Sequence, residues 1–260
     1  MKKRDNSVVA MLDLLGFSQI MESESLDEIE RRYTRTLMSG LTFSGFASIG
    51  AFVFDDEGNL DSGEDLWAVS FGIFSDTVVI YPRPLVGQPI RVTCEAVASV
   101  IDVALQGDWL FRGGIDFGSF RALPDHNLYI GKALIGAYRL ETMQNWAGAI
   151  VSEAAQNKYR REIAEMKEEH LLVEYPVPIK VDSGVVEKTC LAVNWCYFDM
   201  RWQHSRRDKL LSLLESAPTK AKAKVNATIE FHDKMVQNEL ASLKQIGGGR
   251  VIGDPTGGAA

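Results

Sequence analysis

The feature that most constrains this chain is a set of apolar, strand-like runs that stop at aspartates. Val8 to Leu12 is a continuous apolar stretch closed by Asp13, the pattern of a strand buried on both faces. Trp67 to Phe74 and Thr77 to Tyr81 are two further β-rich runs separated only by Ser75-Asp76, the spacing of a tight hairpin. If these strands are neighbours in one sheet, Asp13 and Asp76 emerge at the same edge. Helical patterns lie between and after them. Ser25 and Glu28 form a capping box, and Leu26, Ile29, Tyr33 and Leu37 recur at helical spacing. Pro89 suits the first turn of a helix running to about Gln106.

The remainder continues the mixture. The segment from Phe43 to Glu64 is irregular, with a turn-like DDEGN that tips a loop or hairpin. A strand is expected from Leu110 to Phe117, with a second apolar piece near Phe120. Gly131 to Met143 reads as a helix, Ala149 to Val151 as a short strand, and Ser152 to Glu169 as one charged helix. Leu171–Val181 and Val185–Trp195 form a closing pair of strands. After Tyr197 two helical patterns rich in Lys, Leu and Ala run to about 244, followed by a glycine-rich tail. The expected organisation is an α/β or α+β domain over 1–198, a helical extension over 199–245 and a flexible tail over 246–260.

Composition removes several classes. The chain has 260 residues, 46% hydrophobic, with a net charge of −7. A chain of that size folds without disulfide or metal staples. The acidic balance argues against a broad nucleic-acid or anionic-membrane surface. No stretch reaches the length of a membrane span. The basic start MKKR leads into an apolar run that Asp13 interrupts, which is not a signal peptide. Cys190 and Cys196 read as one strand, about 20 Å apart, so with Cys94 they are reduced thiols of a cytoplasmic protein. There is no HExxH, CxxC, GxSxG or P-loop, and the glycines of 247–253 miss the dinucleotide spacing.

Asp13 and Asp76 remain. Hard divalent cations take oxygen ligands, and Mg²⁺ is typically held by one or two carboxylates with substrate phosphates. The amides of Leu14, Leu15, Gly16 and Phe17, turning into a helix, offer a phosphate cradle. The alternative is that each aspartate caps backbone groups at a strand end or turn. Lys132, at the start of the 131–143 helix, is a phosphate candidate or a surface lysine. Arg112 and Arg121 flank the GGIDFG strand and read as solvated or paired, with a triphosphate role as the minority option. Asp116 faces a cleft or balances Arg112. Phe43, Phe46, Phe52, Phe54 and Trp67 are candidates for stacking on a base, or core.

The ordered set LDLLGF, FSDTVVIYP, FRGGIDFG, YIGKALIGAYRLE and AGAIVS resembles the class III nucleotidyl cyclases over about residues 5 to 195. The resemblance implies an α+β palm domain with a ferredoxin-type βαββαβ core, here with a C-terminal helical appendage. It also implies head-to-tail homodimers with shared active sites. Asp13 and Asp76 become the ligands of two Mn²⁺ or Mg²⁺ ions, the 14–17 turn holds phosphates, and Arg139 steadies transition-state charge from the opposite chain.

The departures carry as much information. The family asparagine four residues before the arginine is Ile135 here. The two positions with which adenylate and guanylate cyclases read a purine are Gly72 and Leu128. With the GKALxxAYxLE helix and Asn194-Trp195, the chain looks most like the bacterial pyrimidine cyclases of Pycsar anti-phage defence. Such enzymes convert UTP or CTP to the cyclic monophosphate and pyrophosphate, and a separate effector reads the product. The alternatives are a cyclase-like module that binds nucleotide without turnover, and a purine cyclase.

Overall fold

The computed structural model describes residues 6–49, 68–84, 86–197 and 203–247. Phe52, Phe54 and Trp67, and the tail beyond Gly247, lie outside the described residues, as do the side chains of Phe43 and Phe46.

Strand β1 (Asn6–Leu14) is followed by α1 (Phe17–Ser23), α2 (Leu26–Ile49), β2 (Val69–Phe74), β3 (Thr77–Pro82), α3 (Pro89–Gln106) and β4 (Phe111–Ser119). Beyond β4 the chain adds the hairpin β5 (Arg121–Leu123) and β6 (Leu128–Ile130), then α4 (Lys132–Met143) and β7 (Gly148–Val151). It ends with α5 (Glu153–Lys158), α6 (Arg160–Glu168), β8 (Leu172–Val181), β9 (Gly184–Val193), α7 (Gln203–Ser216) and α8 (Thr219–Gly247).

The seven-stranded sheet has the order β2-β3-β1-β4-β7-β9-β8. Each neighbouring pair among its first four strands is antiparallel, with β1 between β3 and β4. That order, with helical connections from β1 to β2 and from β3 to β4, is the ferredoxin-type βαββαβ arrangement. β7 adds parallel to β4, and the β9–β8 hairpin extends the sheet. The fold is α+β, with a palm-like sheet and a C-terminal helical part.

Period-two alternation sorts the side chains of β1. Val8, Ala10, Leu12 and Leu14 enter the main core with Val78, Ile80 and the buried face of α3. Val9 faces the other way, with Val79, Phe120 and Ala133 in a smaller cluster. Asp13 therefore belongs to the second face, the one carrying α4 and the β5–β6 hairpin.

The C-terminal helices are fastened to this body. Arg206 of α7 makes a bidentate pair with Asp102 of α3 at 2.6 Å, both buried. Phe231 of α8 packs edge-on against Trp146 and Tyr175, and the Thr228 hydroxyl accepts the Ala147 N–H at 2.8 Å. Leu210, Phe231 and Met235 belong to the main apolar core.

Three local expectations change. The helix starting at Leu26 continues to Ile49 instead of yielding to a loop near Phe43. The 152–169 helix is two helices broken at Tyr159, whose backbone leaves helical geometry while its ring packs edge-on against Phe117. β9 ends at Val193, so Cys196 lies beyond the strand, its N–H held by the Asn194 side chain; all three cysteines are free. Among the described residues, no helix is long and apolar enough to cross a membrane.

Candidate active site

The β1–β3 register places Asp13 opposite Thr77, the residue after Asp76. The Leu14 N–H donates to the Asp76 carbonyl at 2.9 Å, which ties the end of β1 to the hairpin turn. Ser75 occupies left-handed backbone space in that turn (φ 57°), and its carbonyl accepts the Tyr33 hydroxyl at 3.0 Å. Tyr33 itself packs edge-on against Trp109 and Phe17. The two aspartates thus share one sheet edge, and α2 braces the turn that carries Asp76.

Electrostatics at this edge are unbalanced. Burial, then Glu141 and then Asp76 raise the Asp13 carboxyl from 3.8 to about 6. Arg112 lies opposite Asp13 on β4, only 3.6 Å away, yet does not reverse the shift. The reason is that the guanidinium is already engaged. Its Nε donates to Glu141 at 2.6 Å, a second nitrogen meets the same carboxylate, and its Nη1 donates to the Gln144 carbonyl at 3.0 Å. Arg112 and Glu141 are both buried. Arg112 is therefore the paired residue of the two sequence alternatives, and its partner is Glu141.

The cradle is smaller than the sequence suggested. Of the four amides from 14 to 17, Leu14 donates to the Asp76 carbonyl and Leu15 to the Leu110 carbonyl at 2.8 Å. Both serve the strand end, so only Gly16 and Phe17 remain to meet a phosphate oxygen. Gly16 has φ +79°, a left-handed conformation that favours glycine, and its carbonyl accepts the first helical amides of α1.

Lys132 and Arg139 do not reach this edge within one chain. The Lys132 N–H donates to the Ser119 hydroxyl at 3.3 Å. Ser119 pairs with Asn6 and Arg112 with Asp13, so Lys132 sits at the opposite end of β4, about 23 Å away at strand rise. On α4, Ala133, Ala137 and Glu141 form the buried stripe. Arg139 projects from the outer face, exposed beside Ile135 (52% exposed) and Tyr138 (51%). Asp116 does not balance Arg112; the Ser152 hydroxyl donates to it beneath Gly136 of α4. Arg121 is exposed in β5.

The position that reads a purine in the resembling family is filled in an unexpected way. Gly72 is paired with Val79 on the second face. A Cβ built on Gly72 would collide with the hydroxyl and ring of Tyr129 from β6. Tyr129 packs at a tilt against Tyr81, ring centroids 6.2 Å apart, and Tyr81 in turn against Phe120 at 5.2 Å. Leu128, the second such position, is exposed.

Sequence reasoning missed Glu141, Tyr33, Tyr129, Lys180 and Lys224. Lys180 donates to the Thr142 carbonyl at 2.8 Å, and its ammonium is pushed down by burial, then by Arg112 and Lys224. Lys224 is half-buried and shifted down by burial first and Arg112 second, opposed by Asp13 and Glu141. Tyr129 was within reach, since it adjoins Leu128. Lys224, over two hundred residues from Asp13, carried no local signal.

The sheet order and the paired aspartates define a palm-type α+β protein with a carboxylate edge on its second face. Neither a protein-family model nor a curated protein matches the chain. Among solved structures it is similar to the adenylyl cyclase CyaB from P. aeruginosa (13% identity, 72% of this chain and 93% of that one, TM-score 0.42). It is likewise similar to the catalytic core of a rhodopsin-guanylyl cyclase with converted specificity in complex with ATPalphaS (16%, 73% and 96%, TM-score 0.42). A third is the non-canonical dimeric guanylyl cyclase domain of the RhoGC fusion protein from the aquatic fungus Blastocladiella emersonii (14%, 74% and 98%, TM-score 0.42).

Proposed function

We propose that this chain is a metal-dependent nucleotidyl cyclase that converts a pyrimidine nucleoside triphosphate, UTP ahead of CTP, to its 3′,5′-cyclic monophosphate and pyrophosphate. The observation that carries this is the shared edge of Asp13 and Asp76 on a ferredoxin-type sheet, beside a turn with two uncommitted amides.

The residues present fit a divalent cation. Asp13 and Asp76 are hard oxygen donors on one edge, and the Asp13 carboxyl, raised first by burial and then by Glu141 and Asp76, stands among negative charges that Arg112 only partly offsets. Asp13 and Asp76 would hold Mn²⁺ or Mg²⁺, which when bound would lower the pKa of the ribose 3′-hydroxyl and offset the charge of the leaving pyrophosphate. A carboxylate of this pair, at the metal, is the group that would accept the 3′-hydroxyl proton. The 3′-oxygen then attacks the α-phosphorus in line and the bond to the pyrophosphate oxygen breaks. The Gly16 and Phe17 amides orient the phosphate tail.

The active unit is a homodimer. Arg139 and Lys132 stand away from their own aspartates, and the apolar outer face of α4 (Ile135, Tyr138) is suited to a second copy. In the pairing implied by the resemblance, Arg139 of one chain meets the triphosphate bound by the other.

Base choice follows from Tyr129. A purine reader places a polar side chain at position 72, whereas here the phenol of Tyr129 fills that volume. A smaller base is then favoured, with the Tyr129 hydroxyl as a polar partner. In a cytoplasmic setting the product acts as a second messenger of anti-phage defence, read by a separate effector, as in the family the sequence resembles. Asp76→Asn tests the metal assignment: turnover is abolished with a nearly unchanged thermal midpoint, and substantial residual activity with Mn²⁺ or Mg²⁺ overturns it.

A further inference from the structure

One cavity lies outside the edge already described. It encloses about 480 Å³ between the Leu15–Gly16 turn with α1 and the junction of α7 and α8. Small-molecule sites run from about 300 to 1,000 Å³. Leu15, Gly16 and Gln19 form one wall, and Pro218, Lys220 and Lys224 the other. Lys220 and Lys224 are four residues apart on α8, so both project from one helix face.

Three other cations of the C-terminal helices are engaged. Arg206 is bound to Asp102, Arg207 to Asp233, and Lys209 to Asp108, which itself lines the cavity. Lys224 has no ion pair within 4.0 Å among the described residues, although it is half-buried and feels Asp13 and Glu141. Partly burying an ammonium without a close partner costs free energy, and an anionic ligand in the cavity would return it. The cavity opens onto the turn whose Gly16 and Phe17 amides are uncommitted, and Lys224 bridges it to the Asp13 edge.

We propose that Lys224, with Lys220 at the rim, binds the polyphosphate tail of the nucleotide in the same chain that supplies Asp13 and Asp76. The C-terminal helices are then a wall of the substrate site. The inference rests on the cyclase reading for the identity of its ligand, though not for the cation-lined cavity itself.

Inorganic tripolyphosphate is the direct probe, used with the full chain and followed by calorimetric titration. Lys224→Gln is expected to weaken binding at least tenfold, about 1.4 kcal/mol. Lys224→Arg should stay within about threefold, and Lys222→Gln, on the exposed side of α8, should match the parent. Lysine acetylation of the unmodified protein, with and without tripolyphosphate, gives a second measurement that needs no folded variant: Lys224 should be protected and Lys222 should not. In turnover, Lys224→Gln should lower kcat/KM for every nucleotide alike, leaving their order unchanged. Equal tripolyphosphate affinity in the parent and Lys224→Gln, or no protection of Lys224, overturns the proposal. Lys224-dependent binding of tripolyphosphate without cyclisation of any nucleotide upholds the cavity and removes the cyclase reading instead.

Discussion

Asp13 lies opposite Arg112 in the β1–β4 register, 3.6 Å from its guanidinium, and its carboxyl is nevertheless pushed up to about 6. The folded value exceeds the ordinary 3.8, so ionising Asp13 disfavours the folded state. Metal-free protein therefore carries no such cost below about pH 4 and loses stability as pH rises through 6. The loss is about 1–2 kcal/mol after allowance for partial exposure of the side chain. Asp13→Asn should raise the thermal midpoint by a few degrees at pH 7.5 in a chelator and leave it unchanged at pH 4, while abolishing turnover. Scanning calorimetry at the two pH values checks this; a lower midpoint at pH 7.5 contradicts it.

Glu141 is what keeps Arg112 from neutralising Asp13. Removing one partner of a buried ion pair costs about 3–5 kcal/mol. Glu141→Ala should destabilise by that order, and Glu141→Gln by less. In Glu141→Gln the freed guanidinium can turn to Asp13. Mn²⁺, which should raise the midpoint of the parent protein, should then stabilise the variant much less. Thermal shifts across a Mn²⁺ series measure it, and an unchanged metal response would separate Arg112 from the site.

In the proposed site, Tyr129 would limit the room for the base. Tyr129→Ala empties the space over Gly72 and should raise the ATP-to-UTP ratio of kcat/KM at least tenfold, about 1.4 kcal/mol in transition-state binding. Gly72→Ala should push the ring aside and weaken all four nucleotides. An unchanged ratio in Tyr129→Ala would place base choice elsewhere.

A shared active site predicts complementation. Asp76→Asn and Arg139→Ala are each expected to be inactive alone. Mixed, they form hybrid dimers with one intact site of two, so each hybrid should have about half the activity of a parent dimer and a fully exchanged equimolar mixture about a quarter. Absence of recovery after confirmed subunit exchange would count against the shared site.

Much of the fold was legible because its strands are apolar runs bounded by strong turn signals. Ser75-Asp76 marked the hairpin, and Pro89 marked the start of α3. Asp13 and Asp76 could be placed at one edge only on the condition that their strands are neighbours, which the β1–β3 pairing meets. The residues that tune the edge were hidden. Glu141 looks like any helix glutamate until α4 crosses β4 and sets it on Arg112. The Leu14 and Leu15 amides looked available until the register tied them to Asp76 and Leu110. Tyr159 fits a helical pattern, and nothing local in the sequence marks the break there.

The central claim is tested most directly by incubating the purified protein with ATP, GTP, CTP and UTP under one Mn²⁺ condition, identifying the products and measuring kcat/KM for each. The account expects cyclic UMP and pyrophosphate as the fastest products, CTP second, and both purines at least tenfold slower. ATP or GTP in first place would contradict the pyrimidine assignment, and no cyclic product from any nucleotide would contradict the cyclase itself.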